Sequence, residues 1–318
     1  MSKEAYKALE SVVGTENISA DPIICESYTQ VCFWKDMPSI EAGIERPVCV
    51  VLPRTTDEVQ RIVRIANRYK LSFNPASTYY DTHCIPKKPD TILIDLKRMN
   101  RFEIDEKNLF AIVESNVTVS QLQAELMDRG LYTMTPGGGA QASVLCNTLG
   151  AGMGPIMYKT GLAQRRMLAL EWVMPDGELL KTGSASSLKD YFWGEGPGPD
   201  LRGLVRGFIG WSGGLGIVTK MAVKVYPFIP ERPQPIGISP DTGLELPTKW
   251  LKWFNIIYPS LEDLVEVMYE IPKAWIGASI MRVPVIWRYR ARTKSKQEFW
   301  EIWEKAGDEL KKSFPWIM

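Results

Sequence analysis

Residues 135–161 carry the densest set of chemistry-bearing positions in this chain. Seven glycines fall in this window, among small or hydroxyl-bearing residues that include Thr135, Ser143 and Thr148. Glycine accepts positive φ and has no Cβ to hold a ligand away, so exposed backbone N–H groups can form a concave anion site. The window therefore predicts a buried loop along an extended ligand that carries phosphates. A glycine-rich turn packed against a neighbouring strand is the alternative that these residues leave open.

Other residues that could do chemistry are few. The chain has one histidine, His83, which leaves little basis for a Ser-His-Asp triad or a histidine-rich metal site. Its five cysteines show no CxxC spacing, so we expect reduced thiols, a cytoplasmic protein and no bound metal. The 38 basic and 37 acidic residues balance, and no apolar run is long enough to span a bilayer. We therefore expect neither a nucleic-acid partner nor a transmembrane segment.

The elements that must position the window follow from hydrophobic periodicity. The run at 46–53 predicts a buried strand, and Thr56 is expected to cap the helix that follows it. After a short helix at 3–13, the rest of residues 1–45 is expected to be irregular. Further strands, a helix and a hairpin are predicted at 71–73, 91–96, 109–115, 119–130 and 168–184. This order predicts an α+β fold, with no G-x-G-x-x-G unit after the first strand.

Five segments in this order resemble the vanillyl-alcohol oxidase/p-cresol methylhydroxylase family of FAD-linked oxidoreductases. They are also similar to the FAD subunits of glycolate and lactate dehydrogenases. The segments are PRTTDEVQRIVRIAN (53–67), ILIDLKRMNRF (92–102), GGGAQASVLCNTLGAGMG (137–154), LEWVMPDGELLKTG (170–183) and GPDLRGLVRGFIGWSGGLGIVTKMAVKVYP (198–227).

The resemblance implies a domain organisation. Residues 46–230 are expected to form a PCMH-type FAD-binding domain of two α+β subdomains, at about 46–115 and 116–230. Residues 1–45 would be an N-terminal extension, and 231–318 a truncated α+β cap over the isoalloxazine. The implied activity is hydride transfer from an alcohol or 2-hydroxy acid to flavin N5. The alternative is a non-catalytic or electron-relay subunit with weak or no FAD binding.

The resemblance also implies the cofactor contacts, by position along the chain. The two phosphate loops and the strand after them place sixteen residues against FAD: Pro75, Ala76, Ser77, Thr78, Tyr79, Pro136, Gly137, Gly138, Ser143, Val144, Cys146, Asn147, Thr148, Gly154, Ile217 and Val218. The first loop departs from the family, since NPASTYY replaces its usual glycine-rich sequence. Cys146 and Asn147 stand where many relatives have two glycines.

Three further expectations depend on the resemblance. FAD is expected to bind non-covalently, and His83 or Cys146 is the candidate for a covalent link. No catalytic residue is predicted, because the family takes its general base mainly from the cap. Tryptophans are concentrated after residue 249, and this segment is expected to contact a protein partner or a second copy of the chain.

Overall fold

The computed structural model describes residues 1–29, 44–79, 84–137, 139–186, 202–205 and 213–228, with shorter stretches beyond them. Those stretches are 234–236, 243–245, alternate positions from 252 to 258, residue 249, 260–281 without 278, and 293–305. The chain forms two compact units, Met1–Pro259 and Ser260–Met318.

The first unit contains short and amphipathic helices around two main sheets. Its described helices are α1 Lys3–Val13, α2 Pro22–Ser27, α3 Thr56–Arg68, α4 Val119–Asp128, α5 Val144–Leu149, α6 Met157–Thr160 and α7 Arg202–Val205. Its described strands are β1 Ile18–Ser19, β2 Cys49–Val51, β3 Ser72–Ala76, β4 Thr91–Asp95, β5 Phe102–Asp105, β6 Phe110–Glu114, β7 Leu131–Tyr132, β8 Met167–Val173, β9 Leu179–Lys181, β10 Ile217–Lys224, β11 Tyr226–Pro227, β12 Gln234–Ile236 and β13 Gly243–Glu245.

The first sheet has the order β1-β2-β4-β3, and its β2, β4 and β3 strands are parallel. Both faces are buried, as parallel strands require. Ile92 and Ile94 of β4 face α1 and α3, whereas Leu93 packs with Cys25 of α2. Full burial of each such aliphatic side chain contributes about 1.5–3 kcal/mol. The alternation of side chains along β4 thus holds helices on both sides of the sheet.

The second sheet is antiparallel, with the order β5-β6-β10-β8-β9. Val113 of β6 and Met221 of β10 pack against Leu122 and Leu126 of α4. The Thr118 side chain accepts a hydrogen bond from the Gln121 backbone N–H, and the Gln121 side chain accepts one from the Thr118 N–H. This capping box fixes the start of α4. The chain is therefore a mixed α+β fold, as its sequence predicts.

Two expectations for the N-terminal third need correction. Residues 14–29 are not irregular throughout, because β1 pairs with β2 and α2 covers the sheet through Cys25, while 30–43 lie outside the described residues. The cap of α3 is Thr55 rather than Thr56. Thr55 has extended backbone (φ −131°, ψ 158°), and its side chain accepts a hydrogen bond from the Glu58 N–H, whereas Thr56 is the first helical residue.

The glycine-rich window is also not a continuous loop. It contains α5 and α6, which the expectation of a loop missed. Ser143 starts α5, since its side chain accepts a hydrogen bond from the Cys146 backbone N–H. The described residues 135–137, 139–143 and 150–156 lie outside these helices.

The second unit contains α8 Leu261–Lys273 and α9 Lys296–Lys305. Ser260 caps α8 by accepting a hydrogen bond from the Asp263 N–H at 3.1 Å. In the described part of α8, large apolar side chains are exposed rather than buried.

Candidate functional site

The first predicted loop follows the carboxyl end of β3, at the edge of the parallel sheet. Leu96 donates a backbone hydrogen bond to the Ala76 carbonyl at 2.8 Å, so the chain segments after β3 and β4 leave the sheet together. Beyond Ala76, Ser77 and Thr78 are partly exposed, and Tyr79 has positive φ (53°). Positive φ in a tyrosine is strained. Tyr79 therefore adopts a backbone conformation that glycine takes more easily.

A partly buried polar cluster around Asp95 lies next to Tyr79. The Tyr28 hydroxyl donates a hydrogen bond to Asp95 Oδ2 at 2.8 Å and accepts one from Lys97 Nζ at 2.9 Å. Lys97 Nζ also lies 3.2 Å from Asp95 Oδ2. The Tyr28 ring contacts the Tyr79 ring edge to face, with centroids 5.3 Å apart. This cluster positions the first loop, and burial raises the pKa of both tyrosines.

The second predicted loop is tied to the second sheet through Ser143. Its hydroxyl donates a hydrogen bond to the Ser115 carbonyl at 2.6 Å, and the Ser115 hydroxyl donates in turn to the Val218 carbonyl at 3.0 Å. The start of α5, the end of β6 and the start of β10 are thus linked by two buried hydroxyls. This linkage determines where α5 begins relative to the sheet.

The loop also folds back on itself, and glycine is required where it does. The Gly137 N–H donates to the Met153 carbonyl at 2.9 Å. A Cβ at Gly152 would overlap the Asn147 side chain, and a Cβ at Gly154 would overlap the Thr135 carbonyl. These two glycines therefore permit a close approach that other residues would prevent.

The third segment is the turn before β10. Gly213 (φ 75°) packs against the Pro75 ring, so this turn contacts the first loop. Gly216 (φ 111°) lies against Val173 and the Trp172 indole, and Trp172 Nε1 donates to the Leu215 carbonyl at 2.7 Å. Positive φ and close packing both require glycine at these positions.

The three segments meet at one place. Ser77 Oγ of the first loop lies 3.2 Å from Cys146 Sγ of α5, while Gly213 contacts Pro75. Cys146 is exposed, yet protein surrounds its thiol closely enough that desolvation raises its pKa. The structure thus brings parts of 75–79, 143–147 and 213–218 into contact.

Buried polar atoms without a partner concentrate in this region. Within the described part of the chain, the buried side-chain atoms without a hydrogen-bond partner are Tyr79 Oη, Asn116 Oδ1 and Asn147 Nδ2. Two of them are hydrogen-bond donors in the predicted loops. A buried unpaired donor costs about 1–3 kcal/mol, so native proteins rarely keep one without a function.

The predicted contact residues differ in what they can offer a ligand. Val144, Thr148, Ile217 and Val218 have buried side chains. The Thr148 hydroxyl already donates to the Val144 carbonyl at 2.7 Å, so Thr148 has its main donor in use. Pro136 is buried, while Gly137 and Cys146 are exposed. Gly138 and His83 lie outside the described residues.

Arg166 is a residue that sequence analysis missed. It is fully buried, and its guanidinium donates to Thr148 Oγ1 at 3.0 Å and to Thr133 Oγ1 at 2.7 Å. The adjacent Arg165 is exposed. No sequence signal distinguishes the two arginines, because burial of Arg166 depends on the packing of α5 against the turn at 163–166. Tyr28, Asp95 and Lys97 were missed for the same reason.

This donor set fits the pyrophosphate of a dinucleotide. Pyrophosphate offers only acceptor oxygens, and the unpaired donor Asn147 Nδ2 adjoins Cys146, whose thiol lies beside the Ser77 hydroxyl. Uncharged donors suit an anion that is removed from bulk water. The geometry therefore supports a phosphate-binding role for both loops.

Comparison with known proteins agrees with this geometry. Residues 47–183 match the family model described as "FAD binding domain". This chain therefore carries an FAD-binding domain, and it is similar to proteins of the vanillyl-alcohol oxidase/p-cresol methylhydroxylase family. The cofactor of this domain is FAD.

The similar proteins extend beyond the matched region. The domain and its flanks are 30% identical over 237 residues to 1'-carboxy-chondrochloren decarboxylase of Chondromyces crocatus, covering 71% of this chain and 40% of that protein. They are 30% identical over 227 residues to D-lactate dehydrogenase [cytochrome] 1, mitochondrial, of Saccharomyces cerevisiae, covering 69% and 36%. This chain thus spans less than half the length of these two relatives.

A solved structure of p-cresol methylhydroxylase with substrate bound shares the fold. Its TM-score is 0.62 at 24% identity, covering 72% of this chain and 44% of that one. Within the described residues, no helix is both long and apolar enough to span a bilayer. The same residues contain no group of three or more His, Cys, Asp or Glu side chains suited to hold a metal ion.

Proposed function

We propose that this chain is an FAD-dependent oxidoreductase whose first and second loops hold the pyrophosphate of FAD. The observation that carries the proposal is the buried, unpartnered donor Asn147 Nδ2, next to Cys146, where the second loop meets Ser77 of the first. An acceptor-rich ligand at this place would satisfy that donor. The proposal keeps residues 46–230 as the FAD-binding domain and 231–318 as part of a cap.

The chain's own residues would bind and orient the cofactor. Ser77 and Asn147 would donate hydrogen bonds to phosphate oxygens. Gly152 and Gly154 keep the second loop compact, and the turn at 213–216 packs against Pro75 of the first loop. When bound, FAD supplies a hydride acceptor at N5 of its isoalloxazine, and the protein supplies binding and exclusion of water.

The substrate we propose is an alcohol or a 2-hydroxy acid. The yeast relative is named a D-lactate dehydrogenase, which supports a hydroxy acid as the hydride donor. Its name also specifies a cytochrome, which supports a protein as the electron acceptor. We further propose a cytoplasmic protein that contacts its partner, or a second copy of itself, through the tryptophan-rich segment after residue 249.

A second candidate function is a non-catalytic or electron-relay subunit. The observation that favours it is Tyr79, which takes positive φ in a loop where the family has glycines. A bulky side chain there reduces access to the backbone N–H groups of the first loop. In this alternative the chain would keep the fold and bind FAD weakly or not at all.

Anaerobic reduction separates the two functions. The protein is loaded with FAD, freed of excess cofactor, and mixed without oxygen with D-lactate, glycolate, a 4-alkylphenol or a benzylic alcohol. Loss of the oxidised flavin absorbance with one of these compounds supports the oxidoreductase. Flavin that dithionite reduces but none of the four compounds does would favour the non-catalytic subunit.

The link between protein and FAD is tested by acid precipitation of the loaded protein. We propose non-covalent binding, so the flavin should remain in the supernatant. Flavin in the pellet would instead indicate a bond through His83 or Cys146. Cys146→Ala then decides between the two, since it releases the flavin only if the thiol forms the bond.

A further inference from the structure

Arg166 is a buried cation for which the proposed FAD contacts give no role. It ends the turn Ala163–Arg166 and is 1% exposed. Within the described residues, no carboxylate forms an ion pair with it. A buried charge without a counter-ion costs several kcal/mol unless other groups compensate it. The burial of the Arg166 guanidinium therefore needs a physical explanation.

The guanidinium joins the two ends of the glycine-rich loop. Before the loop, Nη1 donates to Thr133 Oγ1 at 2.7 Å and to the Met134 carbonyl at 3.2 Å. After the loop, Nε donates to Thr148 Oγ1 at 3.0 Å and Nη2 to the Val144 carbonyl at 3.4 Å. All four acceptors are neutral. Only the planar fork of arginine reaches both sides with this geometry.

The charge persists at neutral pH. Burial lowers the pKa of Arg166 to about 10, and the nearby Tyr226 opposes that shift. A group with this pKa remains protonated at pH 7. The loop between Met134 and Val144 therefore begins and ends at residues that hydrogen-bond a permanently charged guanidinium, and the acceptors at both ends are neutral.

We propose that Arg166 is the positioning residue that gives the 135–143 loop its affinity for the pyrophosphate of FAD. The inference rests on the proposed function. Arg166 fixes the two ends of the loop, and its uncompensated charge favours a dianion in the loop over a neutral ligand. A residue that served only to hold the fold would not discriminate between charged and neutral ligands.

The test compares ligands that differ in phosphate content. Dissociation constants of FAD, ADP and riboflavin are measured by fluorescence titration or calorimetry on the full chain and on Arg166→Met, Arg166→Lys and Arg165→Met. Arg165 is the matched control, because it is adjacent and exposed. Circular dichroism of each apoprotein establishes which variants fold.

We expect Arg166→Met to weaken the binding of FAD and ADP by about 10- to 100-fold, as for loss of a charge-assisted interaction. The dissociation constant of riboflavin should change by less than about threefold, and Arg165→Met should bind all three ligands as the wild type does. Arg166→Lys keeps the charge but loses the planar fork, so its affinities for FAD and ADP should lie between those of the wild type and Arg166→Met. If the methionine variant does not fold, Arg166→Lys decides the question through the same selective loss of FAD and ADP affinity.

Two results would overturn this inference without overturning the proposed function. In the first, folded Arg166 variants bind FAD and ADP with wild-type affinity. In the second, they lose affinity for riboflavin to the same extent as for FAD. A wild-type chain that binds neither FAD nor ADP would overturn the proposed function together with it.

Discussion

At the scale of single residues, the unpartnered donors carry the account of the site. Tyr79 Oη and Asn147 Nδ2 reduce the stability of the free protein unless a ligand accepts their hydrogen bonds. Removing one of these donors should therefore weaken FAD binding and leave the stability of the free protein nearly unchanged or higher.

Asn147→Ala tests this difference between stability and FAD affinity. We expect the free energy of unfolding of the free protein to fall by less than about 0.5 kcal/mol or to rise, because no hydrogen bond of the side-chain amide N–H groups is lost. FAD should bind about tenfold more weakly, because its phosphates lose a donor. Urea denaturation and FAD titration measure the two quantities.

Asn67→Ala is the control for Asn147→Ala. Asn67 Nδ2 donates to the Pro175 carbonyl at 2.7 Å, away from the loops. Its loss should cost about 1 kcal/mol of stability and leave FAD affinity unchanged. An Asn147→Ala variant that binds FAD as tightly as the wild type would contradict the assigned role of the amide.

At the scale of elements, α3 and the β8–β9 hairpin connect the two sheets. Gln60 Nε2 of α3 donates to the Gly177 carbonyl at 2.9 Å, and Arg64 pairs with Glu178 at 3.0 Å. Together with Asn67, these side chains form a polar stripe along one face of α3. The stripe holds the hairpin turn against α3 and so joins the two sheets at a distance from the loops.

Gly177→Ala tests how closely the hairpin and α3 pack. Gly177 has φ 85°, and a Cβ there would lie 3.0 Å from the Gln60 carbonyl and overlap the Arg64 side chain. We expect a loss of about 2–3 kcal/mol in the free energy of unfolding. Urea denaturation measures it.

Gly130→Ala is the matched control for Gly177→Ala. Gly130 has φ 68° with no atom within 4 Å of a built Cβ, so it reports backbone strain alone, about 1 kcal/mol. Equal losses in the two variants would show that the contact with α3 contributes nothing.

The sequence predicted the elements whose residues alternate or repeat regularly. The strands β2, β4 and β6, the helix α3 and the β8–β9 hairpin all follow from periodicity. The strand β3 extends through Pro75, which the sequence did not indicate, because proline is tolerated only in an edge strand and edge position depends on sheet order. The two-residue strand β1 and the helix α5 depend on tertiary pairing, through Val50 and Ser115, and local pattern does not reveal them.

The candidate site likewise contains parts that the sequence predicts and parts that depend on tertiary contacts. The glycine-rich window was predicted from its composition, whereas the first loop was predicted only from the family resemblance. The Tyr28–Asp95–Lys97 cluster and the contacts of Arg166 could not be predicted, because their residues come from distant segments and meet only in the folded chain.

At the scale of the whole molecule, α8 of the second unit has an exposed apolar face. Leu261, Val265, Met268 and Tyr269 are all exposed at helical spacing. Capping by Ser260 and acidic residues in the first turn stabilise the helix itself. The exposed face supports the proposed contact with a partner or a second copy of the chain.

Val265→Glu with Met268→Glu tests that contact. We expect the wild-type chain to form a complex larger than its 36.0 kDa, and the double variant to lose it because two charges would have to be buried. Light scattering after gel filtration measures the mass, and Glu266→Lys on the same helix is the control. A wild-type monomer at every concentration, with no protein that co-purifies, would contradict the prediction.

FAD binding between the two loops is the property on which the proposed site depends. A cofactor titration tests this binding most directly. The purified chain is incubated with FAD, freed of excess cofactor by gel filtration, and its visible spectrum is recorded. We predict that the flavin bands elute with the protein at close to one FAD per chain. A colourless protein that stays colourless after this treatment would contradict the site, and the non-catalytic subunit would then be the better account of this chain.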